Sequence, residues 1–312
     1  MGIPITVTAS MRPSAALFHH VQRTGGALIA PRDVIAQIGP TEMLVSGRVT
    51  VSEPDVYFRS PGCPCCAIRE DLITSVVRAT RRSKPPEHLC VVVDPAADDL
   101  LTVISTLLSS FESSQRCSLD SVVLHLDAVE LATRIATGGS VVSAELEPAV
   151  AIADLITIDR TSQVTNSALA SMSTALRAQA AFARVVNGPS DSAGRLDAWH
   201  GTPAAIAVES DRNSTPSTVV LRLDDPLDPN AVEEWLDLLL AQHANRLYRM
   251  QGTLSIVGND ERTCYFGVRS FAASHSERDH VSRRSTDSVI ALCGLGLNAD
   301  ELAASFESTV AS

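Results

Sequence analysis

Short, unbroken apolar runs that end on an aspartate recur along the first half of this chain. They are Val91-Val-Val-Asp94, Val122-Val-Leu-His-Leu-Asp127 and Leu155-Ile-Thr-Ile-Asp159. Runs of this length, rich in Val and Ile, read as strands buried on both faces. Such strands belong to parallel sheets, which need a crossover between neighbours. The intervening segments supply it. Residues 67–82 read as a helix stopped by Pro85-Pro86, a helix follows the strand ending at Asp94 through residue 107, and residues 145–154 and 164–186 read as helices. Residues 3–9 alternate as a first strand, residues 13–23 read as a helix, and residues 27–30 and 43–51 as further strands. Alternating strand and helix predicts an α/β fold with a mostly parallel sheet.

The pattern changes after residues 187–217, which are rich in Gly, Pro, Ser and Asp and read as a linker, with residues 204–208 able to form a last strand. Strands are expected at 218–223, 248–257, 263–268 and 289–293, and helices at 229–243 and 299–310, the last capped by Asn298. Residues 270–286 read as irregular. The predicted organisation is an α/β domain over 1–190, a linker over 191–217 and a smaller α+β domain over 218–312.

Three of the seven cysteines fall within four residues, at Cys63, Cys65 and Cys66, in a loop bounded by Pro61-Gly62 and a helix. Thiols this close serve as metal ligands or redox partners, or pack in a loop without chemistry. Zinc accepts thiolates, commonly within a set of four ligands. Adjacent Cys65 and Cys66 do not readily face one ion together with Cys63. A closed four-cysteine site is therefore not expected, and a Glu, Asp or His from elsewhere would complete the set. Cys66 opens the predicted helix, where the macrodipole favours a thiolate, and Arg69 adds to it. Cys90, Cys117, Cys264 and Cys293 stand alone, which does not read as a disulfide framework.

Net charge is −11, which disfavours general binding to nucleic acid or anionic membranes. No apolar run reaches the roughly 20 residues of a membrane span, and the first eight residues lack a signal-peptide pattern. A cytoplasmic setting is expected. Arg78, Arg81, Arg82 and Lys84 form a local basic run, read either as a contact for RNA or an acidic partner or as cations favoured at a helix end. His19 and His20 point about 100° apart on a helix and read as a solvated pair. His275 and His280 fall in the polar stretch. Gly294-Leu-Gly296 lacks the third glycine of a dinucleotide fingerprint, and no Gly-x-Ser-x-Gly elbow is present.

Gly62-Cys-Pro-Cys-Cys-Ala-Ile-Arg-Glu-Asp-Leu72 resembles the Gly-Cys-x-Cys-Cys-x-x-Arg-x-Asp-Leu signature of the CobW-type P-loop GTPases, which are zinc metallochaperones. The three strands ending in aspartate are similar to the family's strands in order. Pro226-Leu-Asp-Pro229, Leu247-Tyr-Arg-Met-Gln-Gly252 and Leu292-Cys-Gly-Leu-Gly-Leu-Asn298 are similar to its C-terminal domain. The resemblance implies that Cys63, Cys65 and Cys66 bind zinc on a P-loop scaffold.

The nucleotide motifs depart from the family. The phosphate loop needs glycines for close backbone approach, a lysine for the phosphates and a hydroxyl for Mg²⁺. Here the position reads Ala9-Ser-Met-Arg-Pro-Ser-Ala-Ala-Leu17. The guanine-reading Asn-Lys-x-Asp reads Asp159-Arg-Thr-Ser162. Lys84 is the only lysine among 25 basic residues, so no other segment restores either motif. Arginine, a planar fork, does not replace a flexible point charge. GTP and Mg²⁺ thus lack their holding groups, and the chain reads as a pseudo-GTPase without catalytic residues.

The resemblance extends to actinobacterial relatives poor in nucleotide motifs, among them a zinc-responsive factor that recruits a hibernation factor to ribosomes. It implies a non-catalytic zinc sensor or adaptor of zinc homeostasis, acting through a protein, ribosome or ribosome-associated partner. A GTP-dependent zinc metallochaperone and a thiol redox sensor are the alternatives.

Overall fold

A computed structural model describes residues 2–10, 26–31, 56–59, 67–94, 99–188, 216–259, 261–276 and 287–311. Expectations for residues 13–23, 43–51 and 204–208 lie outside them. By packing, the chain divides into one unit of residues 1–177 with 183–197 and a second of residues 178–182 with 198–312.

Among the described residues the first unit has seven strands: β1 (Ile3–Ser10), β2 (Gly26–Pro31), β3 (Val56–Arg59), β4 (His88–Val93), β5 (Cys117–Asp127), β6 (Leu155–Asp159) and β7 (Arg184–Asn187). They lie in the order β3-β2-β4-β1-β5-β6-β7, and every neighbouring pair is parallel. The α/β fold with a parallel sheet is therefore present. All six residues of β4 are buried, which is why its sequence is a continuous apolar run rather than an alternation.

The helices of this unit are α1 (Ala67–Thr80), α2 (Leu100–Ser109), α3 (Phe111–Ser114), α4 (Ala128–Ala136), α5 (Glu147–Ile152) and α6 (Asn166–Gln179). From β3 to β4 and from β4 to β5 the chain steps in the same direction across the sheet. Right-handed crossovers then put α1 and α2 on one face, where they pack together and α1 also packs on α3. Asp99 caps α2 through the amides of Leu101 and Thr102, and Ser110 caps α3.

Two expectations change here. The helix foreseen over 164–186 ends at Gln179, and Arg184–Asn187 forms the edge strand β7 against β6. The alanines favour helix, but Val185 and Val186 gain a parallel ladder along β6, and that tertiary pairing overrides the local preference. Strand β3 and helices α3 and α4 were also not foreseen.

The second unit has an antiparallel sheet of β8 (Ser217–Leu223), β9 (Leu247–Leu254), β10 (Thr263–Val268), β11 (Phe271–Ser276) and β12 (Ser288–Gly294), in the order β11-β10-β9-β12-β8. Residues 271–276, foreseen as irregular, pair with β10 across a turn in which Arg269 takes φ 55°. Helices α7 (Pro229–His243) and α8 (Ala299–Glu307) cover one face. Asp228 and Asn298 cap them, the latter as expected. Their apolar sides meet Val219, Leu221, Met250, Leu254, Ile290 and Leu292. The Trp235 indole packs at a tilt of 49° with its ring centre 5.0 Å from that of Phe306, and donates to Ser305 Oγ.

Strand alternation sends Arg249 and Gln251 to the other face, where both are buried. The Arg249 guanidinium donates to Gln251 and lies 4.5 Å from the Phe182 ring centre and 5.1 Å from that of Phe266. Among the described residues no helix is long and apolar enough to cross a membrane.

Candidate functional site

In parallel α/β sheets, ligands meet the loops at the carboxyl ends of the strands. Here β1 reaches that edge at Ser10, β4 at Val93 just before Asp94, β5 at Asp127 and β6 at Asp159. Ser10 is level with His125, and His125 with Thr157. This row of side chains is polar. Thr157 Oγ1 and His125 Nδ1 share a hydrogen bond of 2.6 Å, which fixes the imidazole plane.

Asp127 is engaged through both carboxylate oxygens. Its Oδ1 accepts from the amides of Val129 at 2.9 Å and Glu130 at 3.2 Å, capping α4. Its Oδ2 pairs with the guanidinium of Arg160. Arg160 follows β6 directly and holds φ 52°, a left-handed conformation. It stands where a guanine-reading lysine stands in the motif that the sequence resembles, and its charge is directed to a carboxylate of its own chain. The carboxylate is committed on both oxygens: one to the helix N-terminus, one to an arginine.

Cys63, Cys65 and Cys66 lie outside the described residues. What is described are their anchors. The strand β3 ends at Arg59 and the helix α1 begins at Ala67, directly after Cys66. A connection from a strand to a following helix in a parallel sheet starts at the carboxyl edge, the edge of Ser10 and Asp127. Because β3 is the outermost strand, about 4.8 Å per strand puts its end roughly 19 Å from the end of β5. The donor set itself, three thiols, suits zinc.

The remaining cysteines have a different character. Cys90, Cys117, Cys264 and Cys293 are buried free thiols. Burial pushes Cys90 up to about 11 against a bond from Thr8, and Cys117 up to about 12. Burial likewise pushes Cys293 up to about 11. Protonated, enclosed thiols are poor ligands and poor nucleophiles. No group of three or more His, Cys, Asp or Glu able to hold a metal occurs among the described residues.

The basic run emerges at the end of α1. Arg78, Arg81 and Lys84 are exposed and Arg82 is half-buried. His275 lies on β11, and His19, His20 and His280 lie outside the described residues. The Asp127–Arg160 pair was not anticipated from sequence. Only the cap had a local signal, in Asp127-Ala-Val-Glu130, an acid three residues before another at a strand-to-helix junction.

Residues 43–187 match the CobW/HypB/UreG nucleotide-binding domain and residues 217–310 the cobalamin synthesis protein cobW C-terminal domain. The fold resembles that of the zinc(II)-bound YjiA GTPase from E. coli, at a TM-score of 0.66 and 19% identity over 100% of both chains. It is equally similar to a zinc(II)-bound triple mutant of the YjiA GTPase, at 0.67 and 18% over 100% of both chains. No curated protein matches the chain. With these two domains in this order, the chain belongs to the CobW family.

Proposed function

We propose that this CobW-family protein binds zinc through Cys63, Cys65 and Cys66 and works as a sensor or adaptor of zinc homeostasis rather than as a GTP-driven enzyme. The observation that carries this reading is the contrast between two parts of one sheet edge. The strand-to-helix connection after β3 carries three thiols suited to zinc. At the other end of the edge, Asp127 and Arg160 are engaged with each other. The phosphate-loop position has neither the glycines nor the lysine that cradle and neutralise phosphates. The zinc(II)-bound YjiA structures support zinc as the metal.

In this reading zinc is the signal, bound and released, and supplies charge neutralisation that lets the three thiolates coexist. Cys66, directly before α1, gains from the helix N-terminus as a thiolate. The fourth ligand comes from another acid, His or water. The readout is a protein partner, the ribosome or a ribosome-associated factor included, in the cytoplasm.

Metal analysis of the purified protein tests this directly. Stoichiometric zinc that is lost on the triple change Cys63→Ser, Cys65→Ser, Cys66→Ser is expected. Zinc-free protein at neutral pH would sink the reading, and a reversible disulfide within the cluster would favour a thiol redox sensor instead. GTP turnover that responds to zinc would restore the metallochaperone reading, which the nucleotide-binding-domain match keeps in view.

A further inference from the structure

The amino edge of the parallel sheet carries cations and an exposed aromatic ring that the zinc reading does not use. Arg78, in the last turn of α1, and Arg81 and Lys84 just beyond it are exposed. None of the three has an acidic partner among the described residues. Phe111, the first residue of α3, is 74% exposed, the most exposed large apolar side chain among the described residues. The end of α1 leads into β4, and α3 leads into β5, so both lie where these strands begin. Helix α1 packs on α3, which brings the basic end and the ring to one side of the sheet.

The surroundings decide which partner fits. The chain carries −11 overall, and a long polyanion is repelled by that field outside the roughly 8 Å over which local charge acts at physiological salt. Glu87 and Glu112 flank the cations and the ring, and both are exposed. They interrupt any extended track for a phosphate backbone. A short acidic segment needs only the local cations, and a large exposed aromatic on the helix packed against theirs offers an apolar anchor of the kind that dominates interfaces.

We infer that this edge docks a short acidic segment of a protein partner, with Arg78, Arg81 and Lys84 facing its carboxylates and Phe111 holding an apolar residue within it. The site is separate from Cys63, Cys65 and Cys66, so its failure leaves the zinc reading untouched.

Fluorescence anisotropy of the full chain with a labelled glutamate-rich peptide bearing leucines tests it. Saturable binding that weakens with salt is expected. It should fall about tenfold in the triple variant Arg78→Ser, Arg81→Ser, Lys84→Ser, and several-fold in Phe111→Ser. All four side chains are solvent-facing or nearly so, and an unchanged melting curve and zinc content confirm intact variants. Absence of peptide binding, or equal affinity in the variants, would overturn the inference. So would tighter binding of a single-stranded RNA oligonucleotide lost in the same variants, which would assign the edge to nucleic acid.

Discussion

Asp127 and Arg160 close an ion pair across the carboxyl ends of β5 and β6, and the same aspartate caps α4. One carboxylate thus joins a helix start, a strand end and a left-handed residue. Asp127→Ala removes both interactions and is expected to cost about 1–2 kcal/mol, chiefly as a lost cap. Arg160→Gly loses a partly exposed pair, typically below about 1 kcal/mol, but relieves left-handed strain of roughly 1 kcal/mol. Urea denaturation should therefore show a clear loss for the first and little change for the second. Equal losses would mean that the arginine, not the cap, is the stabilising partner.

The enclosed thiol of Cys90 sets a pH dependence. Its folded value is raised to about 11 from an ordinary 9.0. Below pH 9 both folded and unfolded chains keep the proton, and stability is unaffected. Between pH 9 and 11 the unfolded chain releases it while the folded chain holds it, so stability falls as pH rises. The loss from this residue is on the order of 2–3 kcal/mol. Denaturation midpoints measured across this window should decline less steeply in Cys90→Ala than in the parent protein.

Arg249 is buried between two phenylalanine rings in the second unit. Arg249→Ala removes one donor to Gln251 and opens a cavity between the rings, costing about 2–5 kcal/mol. Arg249→Met keeps the volume and removes the buried charge, so it should cost far less. Guanidinium unfolding of the two variants separates packing from charge. Matching losses would assign the role of Arg249 to its hydrogen bonds.

Gly252 has no room for a side chain. A Cβ there would enter the backbone of Val289 and Ile290 on the neighbouring strand β12. Gly252→Ala should destabilise the antiparallel sheet by at least about 1–3 kcal/mol through strain, visible as a lowered melting temperature. A neutral outcome would show that β9 and β12 separate locally at little cost.

Labelling separates the two classes of cysteine. In native, metal-depleted protein at pH 8, iodoacetamide should modify Cys63, Cys65 and Cys66 and spare Cys90 and Cys293, whose burial holds them protonated. Adding zinc should protect the first group. Peptide mass mapping reads both results, and modification of Cys90 at a matching rate would contradict its enclosure.

Much of the fold was legible because burial writes itself into short-range pattern. His88 to Val93 is apolar throughout because a central parallel strand is covered on both faces. Asp228 before Pro229 and Asn298 before Ala299 announce helix starts through local chemistry. The thiol cluster is equally local, and three cysteines in four residues state a donor set without any tertiary information. The absent phosphate-loop lysine is of the same kind.

What depended on partners distant in sequence was not legible. Arg184–Asn187 follows an alanine-rich helix, and becomes a strand only because β6 offers a free ladder. Phe271–Ser276 is polar enough to read as a loop, and becomes a strand because β10 folds back on it. Arg160 could have been a solvated cation. Only the alignment of β5 with β6, Asp127 level with Asp159, brings its guanidinium to Asp127. By itself the sequence determined the fold class, the helix starts of the second domain and the clustering of three thiols, since each rests on neighbours a few residues apart. The tertiary structure decided the strand order, the commitment of Asp127 and the burial of Arg249, because these are contacts between residues that only the closed sheets bring together.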